Sequence, residues 1–270
     1  MESAYKYIYG PVFSWRLGIS LGIDLLSQEE KICNFDCVYC QLGPTKNYTV
    51  NRKIYVPVKE VIEELEKLPA TKIDYITFSG RGEPTLAGNL GDCIKAIKAI
   101  RKEKAAVLTN SALMDQGEVR KDLALADFVI AKLDVCSPES LREVNRPSEK
   151  TKFSSILEGI KEFKNSYAGK FALQIMFIDS NRDNIAKLIY LVNYIKPDEV
   201  QINTPLRPAK IRPLSEEDIV RIKDYFRRVC SGVNVISVYD ERMQKEVLAI
   251  SDEDTLKRRG KGDKNGILSN

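Results

Sequence analysis

Three cysteines stand within one short run, Cys33-Asn34-Phe35-Asp36-Cys37-Val38-Tyr39-Cys40. Thiolates are soft ligands suited to zinc and to iron-sulfur clusters. A closed structural zinc site takes four ligands and a disulfide takes two, so three close cysteines leave one coordination position open. A four-iron cube held at three corners keeps one iron for a ligand that is not protein, as a catalytic cluster requires. Structural zinc would need a fourth ligand from a distant cysteine or a carboxylate, and no second close pair of cysteines exists. A disulfide plus a free thiol fits neither the odd number nor a reducing compartment.

The remaining chemistry is constrained by what is missing. Histidine is absent, which removes the commonest zinc ligand and the commonest general base together. Acid-base work would fall to Lys, Asp, Glu, Tyr or Cys. Cys93, Cys136 and Cys230 lie far apart and read as small core residues. Lys and Arg total 42 against 38 acids, a net charge of +4 that allows an anionic partner without demanding one. The N-terminal residues lack a signal-peptide layout and no apolar run is long enough to span a membrane, so a cytoplasmic protein without a membrane partner is expected.

The elements that would position the cysteine loop alternate between strand and helix periods. Strands are expected at Leu17 to Ile23, Ile73 to Ser79, Ala105 to Thr109, Phe128 to Leu133, Phe171 to Ile178, Glu199 to Asn203 and Val233 to Val238. Helices are expected from Val58 to Leu68, between Pro57 and Pro69, and from Leu90 to Ile100. Further helices are expected at Phe153 to Phe163, Ile185 to Tyr194 and Ser215 to Val229, the last with Ser215 as N-cap. Roughly six strand-helix units imply a parallel sheet with right-handed crossovers and are too few for an eight-fold barrel. The expected fold is therefore α/β, a partial (β/α)6 TIM-like barrel. Residues 1–240 form its core, and 241–270 an extension whose basic, glycine-rich stretch Lys257 to Gly266 reads as a mobile tail.

The spacing of three residues then two between the cysteines, with the aromatic Tyr39 before the third, resembles the radical S-adenosylmethionine (radical SAM) superfamily. The run Phe78-Ser79-Gly80-Arg81-Gly82-Glu83-Pro84 resembles that family's Gly-Glu-Pro motif at a strand end. Leu108-Thr109-Asn110-Ser111 and Lys132-Leu133-Asp134 fall at the next two strand ends, the first where members carry Thr-Asn-Gly. The resemblance runs from Leu17 to about Arg207. It implies a barrel of the radical SAM type and a [4Fe-4S] cluster on Cys33, Cys37 and Cys40, with S-adenosylmethionine (SAM) on the open iron. Gly80 and Gly82 would bring backbone carbonyls to the SAM ammonium, with Glu83 as a further acceptor. Lys132 would pair with the SAM carboxylate and Asp134 would accept from a ribose hydroxyl. Tyr39, Asn110, Gln174, Asn203 and Thr204 complete the expected cofactor-binding set, and Arg146 and Arg207 are candidates to grip a phosphate or carboxylate of the substrate.

By that resemblance, an external electron donor of the ferredoxin or flavodoxin type reduces the cluster. SAM is then cleaved to methionine and a 5'-deoxyadenosyl radical, which takes hydrogen from the substrate. The stretches Tyr9 to Gly43 and Val200 to Pro208 resemble a short branch grouped with tRNA 4-demethylwyosine synthase. This chain departs from that enzyme in having no cysteine before Cys33 for a second cluster. Three functions stay open: modification of a tRNA base, action on a protein or small molecule as an activase or modifier, and a non-catalytic iron-sulfur or zinc-binding protein.

Overall fold

The computed structural model describes residues 5–207, 209–240, 249–250, 255–256 and 258. Eight strands lie in one sheet in chain order: β1 (Ile8–Ser14), β2 (Gly18–Ile23), β3 (Tyr75–Phe78), β4 (Lys104–Thr109), β5 (Phe128–Lys132), β6 (Lys170–Met176), β7 (Glu199–Asn203) and β8 (Asn234–Ser237). β1 and β2 form an antiparallel pair, and every pairing from β2 to β8 is parallel. The helices between them are α1 (Val58–Glu66), α2 (Leu90–Ile100), α3 (Gly117–Leu123), α4 (Phe153–Ser166), α5 (Ile185–Ile195) and α6 (Glu216–Val229). Each of β2 to β7 is thus followed by a helix, the six units expected, and the sheet curls into a half-barrel.

Period-two alternation decides what each strand shows to either side. Ala106, Phe128, Ile130 and Ala172 form a small buried cluster with Leu17 on one face, whereas Val107, Val129, Ala131 and Leu173 join the main core under the helices. Following the first set toward the strand ends brings Lys132 and Gln174 to the same face. The register seats Lys132 beside Gln174 and Gln174 beside Gln201, so a polar row crosses β5, β6 and β7. Ser215 caps α6 as expected, accepting the Asp218 amide at 3.1 Å.

Besides the short helical turns, of which 138–145 is the longest, a strand and a helix lie outside the sequence reading. β1 contains Gly10 and Pro11, residues that depress strand signals, and it gains its place by pairing with β2. α3 is only two turns long, too short for a clear helical period. Most of the expected tail (257 and 259–266), and most of the extension (241–248, 251–254, 257 and 259–270), lie outside the described residues. Arg258 does not: it is 5% exposed, and its Nε meets the buried Asp24 carboxylate at 3.1 Å, which corrects its assignment to a mobile tail. Thr255 Oγ1 accepts the Gly10 amide at 3.0 Å, so this part of the chain seats on β1 and β2. Among the described residues no helix is long and apolar enough to cross a membrane.

Candidate active site

The cysteines occupy the long connection between β2 and α1, which has no regular structure and is held by backbone hydrogen bonds from two sides. On one side, Ile32 N donates to Arg81 O and Glu83 N to Ile32 O, both at 3.0 Å. On the other, Asp36 N donates to Asn145 O and Arg146 O at 3.1 Å, Val38 N to Val144 O at 3.0 Å, and Ser148 N to Asn34 O at 2.8 Å. The loop is therefore clasped between the turn after β3 and the one after β5, whose short helix Pro138–Ser140 runs on through Leu141–Asn145. Arg146, left-handed at φ +46°, closes that turn and aims its carbonyl at Asp36. Gly82, at φ +158°, lies so close to the loop that a Cβ would stand 1.7 Å from Ile32 O. Gly80 packs in the same way against Asp24, whose Cγ a Cβ would meet at 2.3 Å. Both glycines of the motif thus carry backbone approaches within the fold.

All three thiols are free and half-buried, and each sulfur has its own N–H donor. Cys33 Sγ accepts from Phe35 N at 3.4 Å and lies 3.7 Å from Asn110 Nδ2. Cys37 Sγ accepts from Asn145 Nδ2 at 3.5 Å, and Cys40 Sγ from Lys31 Nζ at 3.3 Å. Burial pushes the Cys33 thiol well above the usual range and the Cys37 thiol up to about 11, against the Asn145 hydrogen bond. Asn34, fully buried beside Cys33, holds an Nδ2 with no acceptor among the described residues. A buried donor in that state costs about 1 to 3 kcal/mol. Three soft donors, three N–H groups on them and one orphaned amide fit an anionic, sulfur-rich group seated on the loop. Among the described residues no three cysteine or acidic side chains gather closely enough to hold a single ion.

Behind the thiols the ends of β3 to β7 make a polar rim. Asp134 is 2% exposed, and both its oxygens are occupied. Oδ2 accepts from Tyr39 OH and from Asn145 Nδ2, the latter at 2.9 Å. Oδ1 accepts from Met176 N at 2.8 Å and lies 3.3 Å from Lys132 Nζ. Burial, reinforced by the Asp134 charge, raises the Tyr39 phenol well above its ordinary range and keeps it a donor. Lys132 Nζ also reaches Gln174 Oε1 at 3.4 Å and lies over the Tyr39 ring, 5.0 Å from its centroid. Glu83 is buried with its oxygens on Thr85, Thr109 and Asn110 N. Desolvation raises its carboxyl above the usual range, against those hydrogen bonds. In this arrangement Glu83 ties the end of β3 to the end of β4, and Asp134 ties the cysteine loop to β6.

Asn110 faces the cysteine loop, donating to Asn34 Oδ1 at 2.6 Å, and with Lys132 and Asp134 it lines a pocket that also borders Phe35 and Asn145. Asn203 and Thr204 are buried at the end of β7, where Asn203 O accepts from Phe177 N at 2.7 Å and Thr204 Oγ1 donates to Phe177 O at 2.9 Å. Arg207 Nη1 donates to Gln41 Oε1 at 3.2 Å, bringing the segment after β7 to the residue that follows Cys40. The Arg146 side chain is exposed. Sequence reasoning passed over Lys31, Asn34 and Asn145. Lys31 stands two residues before Cys33 and Asn34 directly after it, where a cation and an amide close to a cysteine run are a usable signal. Asn145 carries no such mark, because only the fold brings it to Cys37.

The profile of the Radical SAM superfamily matches residues 31–192. A UPF0026 protein of Synechocystis sp. is 40% identical over 220 residues, covering 80% of this chain and 81% of its own length. A UPF0026 protein of Methanocaldococcus jannaschii is 35% identical over 263 residues, 90% of this chain and 81% of its own. Among solved structures, Streptococcus suis SuiB bound to S-adenosylmethionine is similar in fold, with a TM-score of 0.62 at 16% identity over 77% of this chain. The chain spans about half the length of SuiB, 48%.

Proposed function

Because the chain belongs to the radical SAM superfamily and is a radical SAM enzyme, we propose that Cys33, Cys37 and Cys40 hold a [4Fe-4S] cluster whose fourth iron takes SAM. When bound, such a cluster supplies the electron that splits SAM into methionine and a 5'-deoxyadenosyl radical able to take hydrogen from a substrate. The observation that carries this reading is the set of three thiols, each with its own N–H donor, clasped against the strand-end rim.

The chain's own residues divide the work. The Gly82 to Ile32 contact and the Asp36 to Asn145 contact fix where the thiols stand. Lys132, held between Gln174 and Asp134, offers an ammonium to the SAM carboxylate. Asn110, at the mouth of the rim, offers an amide to a polar group of the same ligand. Tyr39 covers Lys132 and limits water beside it. An electron carrier of the ferredoxin or flavodoxin type would supply reducing equivalents from outside.

The test is anaerobic reconstitution with iron and sulfide, followed by dithionite and SAM, with 5'-deoxyadenosine as readout. Wild type should bind about four irons per chain and release 5'-deoxyadenosine. Changing any one of Cys33, Cys37 and Cys40 to Ala should abolish both, and retention of both in any of the three would overturn the assignment.

A further inference from the structure

Two of the three cysteine sulfurs meet a neutral carboxamide, Asn110 at Cys33 and Asn145 at Cys37. The third meets a cation. Lys31 Nζ lies 3.3 Å from Cys40 Sγ and donates to Gly43 O at 2.8 Å, and its side chain is only 6% exposed. Its nearest acid is Asp36, whose Oδ1 is farther away at 3.7 Å and already accepts the Thr45 amide at 2.6 Å. Glu30, on the same loop, is turned outward to Lys46. The ammonium is therefore largely withdrawn from water and sits closer to the sulfur than to any carboxylate. Gly43 N returns a hydrogen bond to Cys40 O at 3.2 Å, so the same short turn that presents Cys40 also presents the carbonyl that anchors Lys31.

We propose that Lys31 is a positioning residue that sets the reduction potential of the cluster on Cys40, with Asp36 as the opposing charge. This rests on the cluster reading above and goes beyond it. Adding one electron makes the cluster more negative, and a desolvated cation at one thiolate stabilises that reduced state relative to the oxidised one. Removing the cation makes reduction harder, and removing the Asp36 charge acts in the other direction. A purely structural role would not produce opposite signs.

The experiment is a dithionite titration of reconstituted protein without SAM, following the electron paramagnetic resonance signal of the reduced cluster. Iron content and circular dichroism are recorded for wild type, Lys31→Met, Lys31→Gln and Asp36→Asn. Both Lys31 variants should lower the one-electron reduction constant at least tenfold, a shift of about 59 mV to more negative potential, while Asp36→Asn raises it. An unchanged or raised potential in either Lys31 variant, or an unchanged or lowered potential in Asp36→Asn, overturns the proposal. Loss of the fold or of iron uptake in both Lys31 variants overturns it too, because Lys31 would then be building the loop. Failure of wild type itself to take up iron would break the cluster reading instead.

Discussion

Gly82 and Ile32 meet with no room for a side chain: a Cβ on Gly82 would stand 1.7 Å from the Ile32 carbonyl oxygen, which itself accepts the Glu83 amide. The glycine of the strand-end motif and the start of the cysteine loop are thus one structural unit. The obstacle is backbone, which has no rotamer to change.

Gly82→Ala should therefore displace the loop. Strain and overpacking together cost about 3 kcal/mol, and iron uptake on reconstitution should fall several-fold while circular dichroism stays close to wild type. Full uptake by a variant of unchanged melting temperature would show that the loop is held elsewhere.

Asn145 joins three groups through one amide: Cys37 Sγ, Tyr39 OH and Asp134 Oδ2. Asn145→Ala leaves a buried carboxylate and phenol one donor short, at a cost of about 1 to 3 kcal/mol. Chemical denaturation should show that loss in the absence of any cofactor, which separates it from an effect on the cluster.

Arg258 and Asp24 form an ion pair with side chains 3% and 2% exposed. Arg258→Met leaves the Asp24 charge buried and unpaired, and should cost about 3 kcal/mol or more near neutral pH. Burial raises the Asp24 carboxyl above its ordinary value of 3.8, with Arg258 opposing that rise. A raised acid contributes stability below its unfolded value and loses it as pH climbs through its folded one. Without Arg258 the rise is larger, so the stability gap between variant and wild type should narrow as pH falls toward 4. Thermal melts across that range check it, and a gap independent of pH would contradict the pairing.

Lys132 stands between Gln174 Oε1 and Asp134 Oδ1. If it offers its ammonium to SAM, Lys132→Met should weaken SAM binding by about tenfold, near 1.4 kcal/mol, with iron content unchanged. Equilibrium dialysis on reconstituted protein measures this, and unaltered affinity would remove Lys132 from the cofactor set.

Much of the scaffold was legible because its signals are local. Val58 to Glu66 carries its apolar face at helical spacing, and the β6 segment Lys170–Met176 is buried from Phe171 to Ile175. Both patterns survive in the sequence whatever the rest of the chain does. β1 was not legible, since its pairing with β2 decides its conformation over the objections of Gly10 and Pro11. Asp134 was legible as a strand-end acid, but its occupation by Tyr39 and the Met176 amide depends on residues 95 and 42 positions away along the chain.

By itself the sequence determined the donor type at the loop, because three thiols at that spacing form a soft donor set in any fold, and the order of the strands from β2 onward with the helices other than α3, because periodicity is read within one element. Tertiary structure alone decided which groups meet those thiols. Asn145 reaches Cys37 and Arg258 reaches Asp24 across large separations along the chain, and such meetings follow from strand register and crossover, which no local spacing encodes. The same physics changed what the glycines mean. As residues they signal only freedom of backbone, and the fold uses that freedom at Gly82 to press the cysteine loop against the strand-end rim.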